Sequence, residues 1–282
     1  MHVNKSRQNP IQTTSCHDQK KNPVEQDGVN VCILASGSRG NAIYVSRGET
    51  SILIDAGLSG IQIQRRMASR GIKPENLDAI LVTHEHSDHI LGAGVLSRRY
   101  HLPVYISRDT KKAAGTALGK INKVNHFSPG ESFNINGMCI HPFSISHDAV
   151  DPSGFTITSG NKKIGIATDL GIATSMVKEH LKQCALLIIE SNHDPEMLDK
   201  GPYPWPLKQR IKSRTGHLSN PDAAKLITEV QSSTLSHIIL GHLSHENNTP
   251  EIAENTVKPV VKGTSIRVHV ALQDVCGQLI RL

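Results

Sequence analysis

Three histidines and an aspartate fall within six residues at His84-Glu85-His86-Ser87-Asp88-His89, directly after the apolar run Ala79–Thr83. The run is short and β-branched enough to be a buried strand. His84 and His86 stand two apart where that strand ends, so they project to one side and can share an ion. Asp88 and His89 follow as the chain turns into a helix expected over Ile90–Arg99, where they can face a second ion. The residue four after His84 is Asp88 and not a second His, which excludes the HExxH chemistry of zincin proteases. A chain with this segment needs a sheet whose strand ends open into a crevice.

The pattern recurs. The apolar run at Phe143–Ser146 ends in His147, that at Ile164–Thr168 in Asp169, that at Leu187–Asn192 in His193, and that at Ile238–Gly241 in His242. His242 is preferred to His245 because it ends its strand directly. Sites in α/β proteins lie at such carboxyl ends, where rigid strands aim short loops into one crevice. Further strands are expected at Val31–Ala35, Ala42–Ser46, Ser51–Asp55, Val104–Ser107, Met138–Ser146, Phe155–Ser159, Lys163–Thr168, Ala185–Glu190, His237–Gly241 and Ile266–Ala271. Helices are expected at Gly60–Arg70, Thr110–Leu118, Thr174–Gln183, Pro221–Gln231 and Pro250–Val261, with Asn220-Pro221 as an N-cap followed by proline. The order predicts an α/β domain over residues 29–282, sheets inside and helices outside. Residues 1–28, polar and without periodicity, read as a disordered extension.

Composition sharpens the chemistry. The chain carries 16 histidines, more than its four Phe, four Tyr and one Trp together. That excess points to metal ligation by imidazole. Five cysteines never form a CxxC pair, which argues against a thiolate zinc site and for a reducing, cytoplasmic setting. There is no secretory signal and no apolar stretch near the ~18 residues of a membrane span. A net charge of +6 permits a polyanionic partner. Between Lys200 and Asn220 stand five cations and no carboxylate, with Tyr203 and Trp205 among three prolines. Trp205, Lys208 and Arg210 are candidates for a stacking platform and phosphate contacts along a nucleic-acid groove. The competing reading is a solvated charged helix with Trp205 packed on the core. In the loop Ser36-Gly-Ser-Arg-Gly-Asn41, the residues Ser36, Ser38 and Asn41 are candidates for cradling a terminal phosphate, against the alternative of a plain glycine turn.

The HxHxDH segment, a later His, an Asp after a strand and a final strand-end His together resemble the metallo-β-lactamase superfamily. Leu34–Asn41, Ile54–Gly57, Ser146–Asp148, Ala167–Gly171, Glu190–Asp194 and Gly241–Asn248 place the likeness closest to its YycJ-like exonuclease branch. The resemblance implies a four-layer αββα sandwich and two divalent metal ions, zinc or manganese. By it, His84, His86 and His147 hold one ion, Asp88, His89 and His242 the other, and Asp169 bridges them. Asp55 orders the site, and His193 is an additional ligand that favours manganese-like coordination. Two divalent ions against Asp88, Asp169 and a bridging hydroxide leave net positive charge, suited to a phosphodiester. His217 with Glu190 resembles the acid pair of tRNA 3′-processing members, so the expected catalytic set is His217, Asp88 and Glu190. His217 protonates the leaving oxygen after the hydroxide attacks. The implied activity is a DNA exonuclease, 5′ to 3′, with nucleic acid as partner, DNA ahead of RNA. The alternatives are a tRNA-processing-type ribonuclease and a glyoxalase II-like thioester or lactone hydrolase.

Overall fold

The computed structural model describes residues 28–282. The extension read over residues 1–28 lies outside this range except for its last residue. The described chain runs β1 (Asn30–Ala35), β2 (Ala42–Arg47), β3 (Thr50–Ile54), α1 (Gly60–Ala68), β4 (Ala79–Leu81), α2 (Ser87–Ile90), α3 (Ala93–Tyr100), β5 (Pro103–Ser107) and α4 (Arg108–Ala114). It continues β6 (Lys123–Phe127), β7 (Phe133–Ile135), β8 (Met138–Ser144), β9 (Ser153–Ser159), β10 (Lys162–Ala167), α5 (Ser175–Leu181), β11 (Leu186–Glu190), α6 (Pro195–Lys200) and α7 (Trp205–Lys212). It closes with α8 (Asn220–Val230), β12 (His237–Gly241), α9 (Pro250–Val257), β13 (Arg267–Val270) and β14 (Ile280–Arg281).

The strands form two seven-stranded sheets, ordered β14-β1-β2-β3-β4-β5-β6 and β13-β12-β11-β10-β9-β8-β7. Period-two alternation gives each sheet two apolar faces. From β3, Ile52 and Ile54 enter the cluster between the sheets with Ile188 of β11 and Ile166 of β10. Leu53 points the other way, into a cluster with Ile63 and Met67 of α1 and Leu96 of α3. On the second sheet, Leu187 and Ile189 meet Val177 and Leu181 of α5, Ile227 of α8 and Val257 of α9. Each fully buried Ile or Leu in these layers contributes about 1.5–3 kcal/mol relative to exposure. The result is the four-layer αββα sandwich.

Pairing direction positions the site. The strands β3, β4, β5 and β6 are parallel to one another, as are β10, β11, β12 and β13. The strand β8 is antiparallel to β9, which is antiparallel to β10, so β8 runs with β10. The carboxyl ends of β3, β4, β8, β10, β11 and β12 therefore meet at one edge of the sandwich.

Several local expectations shift. The helix expected over Ile90–Arg99 is two pieces, because the Gly92 N–H bonds back to the Ala56 carbonyl at 2.7 Å and Gly92 caps α3. Ser219, not Asn220, caps α8: its Oγ accepts from the Asp222 N–H at 3.2 Å, and Asn220 is the first helical residue. The strands β6, β7 and β14 and the helices α6 and α7 had no distinct apolar run to announce them. Of the cysteines, Cys32, Cys184 and Cys276 are buried free thiols. Among the described residues, no helix is long and apolar enough to cross a membrane.

Candidate active site

Three strand ends break in the same way. Asp55 after β3, Asp169 after β10 and His242 after β12 have φ of 58°, 57° and 54°. Left-handed backbone at a non-glycine residue costs about 1–3 kcal/mol and persists only where the surroundings impose it. Here they do. The Asp55 N–H donates to the Leu81 carbonyl at 2.8 Å, and the His242 N–H to Ser36 Oγ at 2.7 Å. The turn after Asp169 is held by the Leu170 N–H, which donates to Glu190 Oε2 at 2.7 Å.

Two sets of side chains converge on Asp169. In the first, His84 Nε2 lies 3.1 Å from His86 Nδ1, and His147 Nε2 lies 3.3 Å from that same atom. In the second, His89 Nε2 lies 3.5 Å and His242 Nε2 3.9 Å from Asp88 Oδ2. Asp169 touches both. Its Oδ1 is 3.8 Å from His147 Nε2 and 3.4 Å from His242 Nε2, and its Oδ2 is 3.3 Å from His89 Nε2.

These donors fit divalent cations. Asp169 Oδ2 and His242 Nε2 are buried without a hydrogen-bond partner, a costly state for polar atoms unless a ligand satisfies them. Crowded imidazole nitrogens offering lone pairs to one another are the donor set of a borderline cation. His84-His86-His147 and Asp88-His89-His242 each have ligand atoms mutually within 4.8 Å, as does His84-His89-Asp169.

Asp55 holds the arrangement from behind. Its Oδ1 accepts from the Thr83 N–H at 2.8 Å, and its Oδ2 from Thr83 Oγ1 at 2.8 Å and from His89 Nδ1 at 2.7 Å. With both oxygens occupied it fixes the tautomer of His89 and leaves Nε2 toward Asp169, as carboxylates behind metal-binding histidines do. We expect Asp55→Ala to lower metal affinity about 10–100-fold while His84, His86 and His147 keep their arrangement. Metal retained after dialysis against a graded chelator series measures this; unchanged retention would remove Asp55 from the support of the centre.

Electrostatics divide the two sets. Burial, reinforced by the neighbouring histidines, pushes His84 well below the ordinary imidazole value, and burial pushes His147 down as well. Burial also disfavours charge on His89, but Asp169 and Asp55 overcome it and raise His89 to about 9. His242 is likewise raised, by Asp169, Asp88 and Glu190 against burial. Burial pushes Asp88 up, but His242 and His89 hold it down at about 2. A raised histidine is protonated below its pKa, and a proton competes with a cation for Nε2. The Asp88-His89-His242 side should therefore lose metal ahead of the His84-His86-His147 side as pH falls. Metal content across dialysis pH measures this, with a half-loaded state expected on acidification and simultaneous loss of all metal contradicting it.

Glu190 is fully buried and holds two histidines at once. Its Oε1 accepts from His217 Nδ1 at 2.8 Å and His242 Nδ1 at 2.7 Å, and its Oε2 accepts from the Leu170 and Leu218 N–H groups. Burial would push its carboxyl up, yet His217 and His242 hold it far below the usual range. His217 is the more exposed of the pair. Its ring centroid is 5.2 Å from that of His147 and 5.1 Å from that of His242, and Nε2 is the nitrogen left over for a substrate.

The other expected residues fall outside these ligand sets. His193 is in none of the converging sets: its carbonyl accepts from the Asn220 N–H, and its backbone bridges Ser219 at the start of α8. Ser36 is buried as the acceptor for the His242 N–H, not turned to a ligand. Asn41 is buried inside its own loop, bonded to both backbone groups of Gly37, with Nδ2 3.0 Å from His89 Nε2. Only Ser38 of that trio is exposed. Gly57 lets this loop close on the site, since a Cβ there would sit 1.5 Å from the Asp88 carbonyl oxygen. Trp205 is 67% exposed, which removes the core-packed alternative. Lys208 is buried, its Nζ donating to the Asp199 and Gly201 carbonyls at 2.8 Å, so it stabilises the α6–α7 turn and does not face a groove. Arg210 pairs with Asp148 at 3.0 Å and lines, with His147 and His217, a cavity of ≈ 80 Å³ beside the centre.

Sequence reasoning missed the buried amides behind the loops. Asn220 and Asn248 exchange side-chain hydrogen bonds at 2.9 Å, Asn248 Nδ2 also donates to the Ser191 carbonyl, and Asn192 Nδ2 donates to the His242 carbonyl. This network ties the turns after β11 and β12 together. Its only sequence signal is three Asn residues beside strand ends.

The description "Beta-lactamase superfamily domain" matches residues 50–242. Exodeoxyribonuclease YycJ of Bacillus anthracis is 39% identical over 248 residues, 87% of this chain and 94% of the relative. Exodeoxyribonuclease WalJ of Streptococcus pneumoniae is 41% identical over 238 residues, 83% of this chain and 88% of the relative. The crystal structure of the metallo-beta-lactamase fold protein YhfI from Bacillus subtilis superposes with a TM-score of 0.72 at 20% identity, covering 91% of this chain and all of that one. That likeness extends the agreement in fold over the whole sandwich. With the domain match spanning the site from before Asp55 to His242, and with two relatives aligned over most of their length, this chain belongs to the beta-lactamase superfamily and to its YycJ and WalJ group.

Proposed function

We propose that this protein is a metal-dependent exodeoxyribonuclease that works in the cytoplasm with two divalent ions, zinc or manganese. The observation that carries this reading is a proton donor standing beside the metal-ligand sets and held in place: His217, fixed by buried Glu190, faces the same centre as His147 and His242. The two relatives bear the name exodeoxyribonuclease, which supports DNA as substrate.

His84, His86 and His147 would hold one ion, Asp88, His89 and His242 the other, with Asp169 shared. Paired divalent ions, when bound, supply an activated water and positive charge for both the attacking and the leaving oxygen of an in-line displacement. This chain's residues do the rest. Asp55 and Glu190 hold His89 and His242 in one tautomer, which keeps the ligand nitrogens aimed without reorganisation. Glu190 accepts a hydrogen bond from Nδ1–H of His217, which keeps that proton in place and turns the Nε2 proton toward the leaving alkoxide; the ring is left neutral once that proton has gone. Arg210 is at the rim, where a phosphate can replace Asp148 as its partner. An exposed pair of this kind contributes about 0–1 kcal/mol and yields easily.

Titrating the metal-free protein with manganese or zinc tests the reading. Hydrolysis of single-stranded DNA should return and saturate near two ions per chain. Full activity at one ion per chain would contradict the paired arrangement.

A further inference from the structure

The sequence suggests a basic groove along Lys200–Asn220, but the fold distributes those cations otherwise. Lys200 pairs with Glu196, Lys212 with Asp199 and Arg210 with Asp148, and Lys208 is built into a turn. Of the five, only Arg214 has neither an ion pair nor a side-chain hydrogen bond among the described residues. It opens into a cavity of ≈ 300 Å³, the lower end of the size range of ligand pockets. Across that cavity stands Lys225 of α8, likewise without an ion pair among the described residues. The lining holds four cations (Lys178, Lys212, Arg214 and Lys225) against two carboxylates, Asp222 and Glu229, a balance of +2. Glu229 is taken by Lys178 at 2.6 Å, and Asp222 accepts from Ser219 Oγ. The floor is apolar, from Ile172, Leu218 and Leu226.

The cavity is rigidly coupled to the catalytic loops. Leu218 follows His217, and Gly171 lies two residues after Asp169. The Gly171 N–H donates to the Ser146 carbonyl, and Ser146 Oγ donates to the Arg214 carbonyl at 2.8 Å. A Cβ on Gly171 would sit 2.3 Å from that same Arg214 oxygen, so the loops after β8 and β10 and the loop before α8 are pressed into one piece. The segment Ser213–His217 is a partition, with His217 and the ≈ 80 Å³ cavity on one side and Arg214 on the other. Three residues of chain, at most ~10 Å, separate Arg214 from His217. That distance is a few nucleotide steps.

We infer that the cavity between Arg214 and Lys225 is a second phosphate-backbone site, holding a single DNA strand a few nucleotides from the bond being cut. The inference rests on the nuclease reading above and names residues that reading does not use. Unpaired cations supply backbone attraction without sequence information, and the apolar floor accepts sugar and base faces. A strand clamped here stays aligned with the centre between successive cuts.

The test is the salt dependence of kcat/KM of the metal-loaded enzyme on single-stranded DNA of 20 nucleotides, compared with a dinucleotide. Each phosphate contact on a single strand contributes about 0.7 to the slope of log affinity against log salt. The Arg214→Ala/Lys225→Ala double variant should flatten the slope on the 20-mer by about 1.4 and lower kcat/KM on it roughly tenfold at low salt. The loss should shrink to under about twofold on the dinucleotide, which is too short to reach. Lys225→Glu alone should lose more on the 20-mer than Lys225→Ala. Both side chains are exposed, so an unchanged melting temperature accompanies the expected result. An unchanged slope, or an equal loss on both substrates, would overturn the second site while leaving the nuclease reading intact. A wild-type enzyme that cuts neither substrate would overturn the nuclease reading itself.

Discussion

Replacing Asp169 by Ala is expected to abolish hydrolysis and to leave well under one ion bound at each position. Its carboxylate is the one group that approaches both ligand sets, through His147 and His242 on Oδ1 and His89 on Oδ2. Removing it also removes the foremost charge that raises His89 and His242 against burial, so both imidazoles fall back toward neutrality. Backbone adds to the effect, because Asp169 sits at φ 57° and alanine disfavours that region by about 1–2 kcal/mol. Asp169→Asn separates the two contributions. Asparagine tolerates left-handed backbone and keeps one oxygen, so it should restore folding stability without restoring the metal centre. Metal analysis and melting temperature on both variants check this. Two tightly bound ions in either variant would remove Asp169 from its shared position.

His217→Ala should separate phosphodiester cleavage from simpler hydrolysis. His217 is not needed to complete either ligand set, so the variant should keep its metal. A poor alkoxide leaving group needs a general acid, whose removal typically costs about 10²–10⁴-fold. A p-nitrophenolate needs little protonation. The variant should therefore lose that factor on DNA and much less on bis-p-nitrophenyl phosphate. Glu190 keeps its bonds from His242, Leu170 and Leu218, so the buried carboxylate stays satisfied and the comparison is not confounded by unfolding. Equal losses on both substrates would reassign His217 to a structural or ligand role.

The parts of the site legible in sequence are those that local pattern encodes. An apolar run of strand length ending in His, Asp or Glu can be read residue by residue, and His84, His86, Asp88, His89, His147, Asp169 and His242 do come together at one sheet edge. Sheets inside and helices outside were legible from the order of the elements, whereas the four-layer sandwich followed from the family resemblance. Leu53 and Ile54, or Leu187 and Ile188, show its cause, apolar neighbours buried on opposite faces of a sheet. What decides a polar side chain's partner is tertiary and was not legible. Ser36 and Asn41 look like phosphate-loop residues, yet a histidine backbone and an aspartate loop reach them first. Lys208 looks like its basic neighbours in sequence, but α7 turns it onto two carbonyls. The left-handed backbone at Asp55, Asp169 and His242 is imposed by bonds from residues far away in the chain.

The most direct measurement is hydrolysis by the manganese- or zinc-loaded protein of end-labelled single- and double-stranded DNA, of RNA, and of a glutathione thioester. Stepwise release of nucleotides from DNA ends is expected, lost on chelation and regained on adding metal, with little turnover of the thioester. Metal-dependent thioester hydrolysis without DNA cleavage would contradict the nuclease reading.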